Sequence, residues 1–243
     1  MLIFGLVKKK DYVKRPDYIY FDLDDTLLDH KRAEKAALRD IWYHYDYLRQ
    51  ISTVKLQNEY QRVNKLLWDE YGSGKIERSE LQRRRFQETL DNLGFDGSVH
   101  REMGRRYMER YRMHWHWIEG AEEALKDLSR RYRVGFLTNG FSETQKLKVR
   151  HFGLDRISDH IVISEDVGVM KPDPRIFKHA TKLAGVDAAS ILYVGDSWTS
   201  DIQGGSAVGW NTAWYVKEPN GEEAKKAAFV FSDFSELTGW LLD

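Results

Sequence analysis

The chain has 243 residues, 42% hydrophobic and 31% charged, an ordinary globular balance for one large domain or a domain carrying an insertion. Lysine plus arginine number 38 and aspartate plus glutamate number 38, so no net field draws the protein to a nucleic acid polymer or a membrane surface. Cysteine is absent, which excludes disulfides, thiolate metal sites and cysteine nucleophiles and suits a cytoplasmic setting.

Leu2–Val7 is apolar and is followed by Lys8, Lys9 and Lys10. A secretory signal has the reverse order and a longer apolar core, and no later run is long enough to span a bilayer. Residues 1–16 are expected to form an N-terminal extension. The first predicted strand, Tyr18–Phe21, is apolar throughout and ends abruptly in Asp22, Asp24, Asp25 and Thr26. Three carboxylates so close repel one another and resist burial unless a cation or a chemical task offsets the cost.

From about Lys31 to Trp115 no strand is predicted. Ala37, Ile41, Tyr45 and Leu48, and then Leu56, Tyr60, Val63, Leu67 and Tyr71, recur at the spacing of one helix face. Gly72-Ser-Gly74, Gly94 and Gly97 break the pattern, which predicts a bundle of about four helices. Arg83-Arg84-Arg85 is expected on a solvated helix face. His114-Trp-His116-Trp117 is expected to be an aromatic hinge rather than a metal site, because no acidic or cysteine cluster accompanies it.

Beyond this region the chain alternates. Strands are predicted at Val134–Leu137, Ile161–Ile163, Ile191–Val194 and Thr212–Val216. Helices are predicted at Ala121–Arg131, Ser142–Phe152, Asp173–Leu183, Thr199–Val208 and Ser235–Leu242. Fully apolar short strands alternating with helices predict a doubly wound (Rossmann-like) α/β core with a mostly parallel sheet. Residues 17–30 and 116–243 would form that core, and 31–115 an inserted all-helical cap.

In open α/β sheets, sites form outside the carboxyl ends of the strands. Those ends carry Asp22 and Asp24; Thr138 and Asn139; Ser164-Glu165-Asp166 with Lys171-Pro172; and Gly195-Asp196-Ser197 with Asp201. This inventory suits phosphoryl transfer. Asp22 and Asp196 can hold a hard cation such as Mg²⁺. Thr138, the backbone amide after it and Lys171 can hold phosphoryl oxygens. One carboxylate can attack phosphorus while another carries the proton.

The four clusters, Asp22-Leu-Asp24-Asp-Thr26, Phe136-Leu-Thr138-Asn-Gly140, Lys171-Pro172 and Gly195-Asp196-Ser-Trp-Thr-Ser-Asp201, resemble in order the motifs of the haloacid dehalogenase-like hydrolase superfamily. The resemblance runs from Tyr18 to about Val216, interrupted by the helical insertion. It implies Asp22 as nucleophile and metal ligand, and Asp24 as general acid/base whose backbone carbonyl also binds the metal. It implies Thr138, Asn139 and Lys171 as phosphate binders and Asp196 as the second carboxylate on Mg²⁺, with Asp201 and Ser197 in support. It also implies a cap that closes over the core and chooses a small phosphorylated metabolite.

Asp25 departs from the glycine usual at its place and is expected to be local structure. A carboxylate at position 24 favours a leaving group that must be protonated, hence phosphate ester over halide chemistry. The stretches Leu137–Gln145, Ser164–Gly168 and Gly195–Trp214 look most like pyrimidine 5′-nucleotidases. A sugar-phosphate phosphatase, a phosphomutase and a non-catalytic binding protein stand as the other readings.

Overall fold

The computed structural model describes residues 15–218 and 221–243; apart from Arg15 and Pro16, the expected N-terminal extension lies outside the described residues. Strand β1 (Tyr18–Phe21) is buried along its whole length. Its side chains alternate with the strand period of two: Ile19 and Phe21 enter one apolar cluster, Tyr18 and Tyr20 another.

Four helices follow: α1 (His30–His44), α2 (Thr53–Gly72), α3 (Arg78–Asn92) and α4 (His100–Met113). Asp29 caps α1 by accepting from Arg32 N at 3.0 Å, and Ser52 caps α2 by accepting from Lys55 N at 3.1 Å. Leu56, Tyr60, Val63 and Leu67 are buried as one face of α2, with Tyr71 only half-buried. The face begun by Ala37 and Ile41 outlasts its helix: α1 stops at His44, and Leu48 is buried from a 3₁₀ turn beyond it.

One expectation fails in this unit. Arg85 is not on a solvated face; it is 8% exposed, with its guanidinium over the rings of Tyr60, Phe86 and Tyr107. Leu81, Arg85 and Thr89 are four apart and share the inner side of α3. Arg84 does face outward, bonding Glu70 and Glu88.

The sheet unit resumes with α5 (Ala121–Ser129), β2 (Arg133–Thr138), α6 (Ser142–His151), β3 (Ile161–Ile163), α7 (Ser164–Val167) and α8 (Pro174–Ala184). It closes with β4 (Ile191–Gly195), α9 (Gly204–Ala207), β5 (Asn211–Tyr215), α10 (Gly221–Ala224), β6 (Phe229–Phe231) and α11 (Phe234–Leu242). The six strands are parallel throughout, in the order β3-β2-β1-β4-β5-β6. This is the doubly wound α/β architecture, with apolar clusters on both sides of the sheet.

Two details differ from expectation. The edge strand β6 is not apparent from the sequence. The segment expected as one helix over Thr199–Val208 starts as a π turn, Trp198–Gln203, and becomes α-helical only at α9. Ser197 O accepts from both Asp201 N (2.9 Å) and Ile202 N (3.2 Å), and the second, longer-range bond widens the turn.

The chain divides into two compact units, Asp29–His116 and the remainder. It leaves the sheet unit at Leu28 and returns at Trp117, and these two residues pair in an isolated antiparallel bridge. Ile118 N also donates to Leu27 O at 2.8 Å. Among the described residues no helix is long and apolar enough to cross a membrane.

Candidate active site

β1 lies between β2 and β4, where the strand order switches direction, so the carboxyl ends of these three strands converge. Asp22 N donates to Val194 O at 2.9 Å, continuing the pairing of β1 with β4. After it the chain folds tightly on itself: Leu27 N and Leu28 N both reach Leu23 O (2.9 and 2.8 Å), and Asp25 N reaches Leu28 O (2.7 Å). Asp25 has φ +64°, the left-handed region where a side chain is disfavoured, which explains why glycine suits this place.

Asp22, Asp196 and Asp201 each bring a carboxylate oxygen within 4.8 Å of the others. Thr26 Oγ1 donates to Asp22 Oδ2 (3.0 Å) and lies 3.4 Å from Asp196 Oδ1. Trp214 Nε1 holds the Asp196 carbonyl at 2.8 Å. An oxygen-only set of this kind fits a hard divalent cation such as Mg²⁺.

Lys171 is buried among acceptors. Its Nζ donates to Asp22 Oδ1 (2.7 Å), Asp201 Oδ1 (2.7 Å), Tyr193 Oη (2.6 Å) and Leu137 O (3.2 Å). Burial alone would lower its pKa, but the Asp201 and Asp22 carboxylates outweigh that and hold it above the ordinary lysine range. Asp22 shows the opposite balance. Its burial pushes the carboxyl up to about 7, against the downward pull of the Lys171 ammonium. Tyr193 is raised well above the usual phenol value by burial and by Asp201.

The other expected residues divide in role. Asn139 uses its side chain on the Lys171 backbone: Oδ1 accepts from Lys171 N (2.8 Å) and Nδ2 donates to Lys171 O (3.0 Å). Thr138 is fully buried, and its Oγ1 accepts from Gln145 Nε2 at 2.7 Å. Ser197 N donates to Asp201 Oδ2 at 2.9 Å, fixing that carboxylate toward Lys171. Ser164 and Glu165 steady the loop after β2. Ser164 Oγ accepts from Gly140 N (3.0 Å), and Glu165 Oε2 accepts from Ser142 N at the start of α6 (2.7 Å).

Asp24 has separate partners. Both its oxygens accept from Lys148 Nζ (2.6 and 2.8 Å), and Oδ2 accepts from Gln145 Nε2 (3.1 Å). Sequence reasoning missed Lys148, Gln145 and Tyr193. The available signal was spacing: Gln145 and Lys148 lie three apart on the helix that follows the Thr138 loop, on one face.

Gly195 sets the distance between β4 and Asp201. A Cβ there would sit 2.5 Å from Asp201 Cβ and Oδ2. Gly195→Ala is therefore expected to push Asp201 off Lys171, at about 1–3 kcal/mol for an overpacked site. Urea denaturation should show the lower midpoint, and turnover should fall with it.

A family model described as haloacid dehalogenase-like hydrolase matches residues 16–209. The HAD-hydrolase YfnB of Bacillus subtilis is 33% identical over 205 residues, covering 83% of this chain and 85% of YfnB. A magnesium-bound crystal structure of YfnB superposes with a TM-score of 0.81 at 28% identity, covering 95% of this chain and 100% of that one. The pyrimidine 5′-nucleotidase YjjG of Escherichia coli is 33% identical over 199 residues, covering 82% of this chain and 85% of YjjG. A 2-haloacid dehalogenase from Pseudomonas syringae has a TM-score of 0.63 at 28% identity, covering 93% of this chain and 98% of that one. With the family model spanning most of its length and its own four strand ends gathered at one edge of the sheet, the chain belongs to the haloacid dehalogenase-like hydrolases.

Proposed function

We propose that this hydrolase is a Mg²⁺-dependent phosphomonoesterase that carries the phosphoryl group on Asp22 and acts on nucleoside 5′-monophosphates. The observation that carries the reaction is the convergence of Asp22, Asp196 and Asp201 on one another, with Lys171 bonded to two of them. Asp22 attacks phosphorus, the ester oxygen leaves with a proton from Asp24, and an acyl phosphate forms. Asp24 then takes a proton from water, which displaces phosphate and restores Asp22. Thr138, the Asn139 backbone amide and Lys171 receive the phosphoryl oxygens. Asp22 and Asp196, with the backbone carbonyl of Asp24, would hold Mg²⁺, which when bound neutralises charge between carboxylate and anionic ester.

Phosphate esters are favoured over halides because Asp24 is present with its own partners, and a departing halide needs no proton. The nucleotide assignment rests on the likeness to YjjG. A panel of pyrimidine and purine monophosphates beside sugar phosphates, with and without chelator, tests both levels. The expected result is phosphate release from nucleotides that chelator abolishes and added Mg²⁺ restores. Release from sugar phosphates with silent nucleotides overturns the substrate class. No chelator-sensitive release from any ester overturns the reaction.

A further inference from the structure

The helical unit carries a groove that the reaction described above does not use. It runs between α3 and α4 with a volume of about 780 Å³, the size of a small-molecule site. Arg83, Arg85, Arg101 and Arg105 line it, whereas Glu80 is the single acidic group among the described residues that do so. Glu80 is drawn to Arg84 (3.5 Å) and Arg83 (4.0 Å). Arg83 and Arg105 have partners along their own helices, Gln87 (2.6 Å) and Glu109 (3.5 Å). The other two differ. Among the described residues, neither the Arg85 nor the Arg101 guanidinium makes a hydrogen bond or an ion pair.

Arg85 is the anchor of the groove. It is 8% exposed, and its Nε is enclosed without a hydrogen-bond partner. The rings of Tyr60, Phe86 and Tyr107 stand 5.8, 5.8 and 5.4 Å from its guanidinium carbon. Aromatic faces offset part of the cost of taking the charge out of water, but they answer none of its N–H donors. His100 adds a second enclosed atom. Its Nδ1 faces Gly97 O at 3.0 Å, which only accepts, so Nδ1 holds the proton and Nε2 is left unpartnered. A neutral Nε2 accepts and a charged ring donates. A phosphate, which carries one proton or none near neutral pH, answers either state, whereas a carboxylate there only accepts. Arg101 and Arg105 are like charges four apart on α4, and Arg101 sits in its first turn, where the helix dipole favours anions. Each of these costs falls when an anion enters.

We propose that the groove between α3 and α4 is a binding site for a small organic phosphate, gripped by Arg85 and Arg101 with His100 Nε2 on a phosphate oxygen. The probes are ADP and inorganic pyrophosphate, titrated calorimetrically into the whole, metal-stripped chain. Adenosine, which lacks the phosphates, and a hexaglutamate peptide, which offers carboxylates, run beside them. ADP and pyrophosphate are expected to bind, and adenosine and hexaglutamate to stay silent. Arg101→Ala and Arg105→Ala, both at exposed side chains, should each weaken ADP about tenfold, the loss of one charge-assisted hydrogen bond, with the ligand-free melting temperature unchanged. Arg85→Met should abolish binding; the two exposed variants decide the matter if it does not fold. Silence toward both phosphates, or phosphate binding that the arginine substitutions leave untouched, overturns the site. Adenosine or hexaglutamate binding as tightly as ADP overturns the phosphate class in favour of a nucleoside or an acidic peptide. None of these results bears on the reaction at Asp22, which the ester panel tests separately.

Discussion

Asp22→Asn is expected to reduce phosphoester turnover by on the order of 10⁴-fold or more, because the variant has no carboxylate to attack phosphorus. The fold should not suffer. Burial already disfavours the ionised form of Asp22, and asparagine keeps its shape without the charge. Lys171 retains Asp201, Tyr193 and the Leu137 carbonyl. The sign of the pH effect follows. The folded-state pKa is raised from 3.8 to about 7, so stability from this group is present at low pH and lost as pH rises through that interval. In metal-free protein the variant's thermal midpoint should therefore gain on wild type as pH rises from 3.8 to about 7. Turnover of an aryl phosphate and thermal melts measure the two effects. Wild-type turnover in Asp22→Asn would remove Asp22 from the nucleophile's role.

Lys171→Met should harm both activity and stability. It leaves the Asp22 and Asp201 carboxylates buried without the ammonium that lies 2.7 Å from each. Removing one partner of a buried pair destabilises by about 3–5 kcal/mol, because the remaining charge stays out of water. On the proposed phosphoester reading, loss of this cation should lower kcat by on the order of 100–1000-fold. Lys171→Arg should not rescue it, since a planar fork cannot reproduce a compact ammonium with donors converging on four oxygens. Urea denaturation of metal-free protein reads the stability. A midpoint equal to wild type would mean that the two carboxylates take up protons at no net cost.

Asp22 drew attention because it stands where an apolar strand run stops, and a charged residue there has no packing reason to be present, whereas Lys171 lies beyond both β3 and α7 and was singled out by the resemblance of the motif set. The same logic pointed to Asp196, just past the end of β4, while Thr138 and Asp201 were singled out only by the motif set taken together. It failed for Lys148, because a lysine on an amphipathic helix looks like a surface residue until the tertiary fold covers it. It failed for Tyr193, whose ring belongs to β4 and whose hydroxyl reaches Lys171. Asn139 was expected to bind phosphate, and its side chain is instead occupied with the Lys171 backbone. The sheet was legible for the same reason as its ends: five of its strands are nearly continuous apolar runs. β6 is three residues, partly exposed at the edge, and offers too short a pattern to recognise. Arg85 was hidden by its neighbours, since three consecutive arginines suggest solvent although one of them must face inward.

The bridge between Leu28 and Trp117 insulates the sheet from the length of the segment between them. It makes everything from Asp29 to His116 a closed excursion, its two ends joined by the bond from Asp29 N to His116 O. Closing a loop twice as long adds only about 0.6 kcal/mol of entropy. A longer or shorter excursion would therefore leave the register of the sheet and the spacing of its carboxylates as they are.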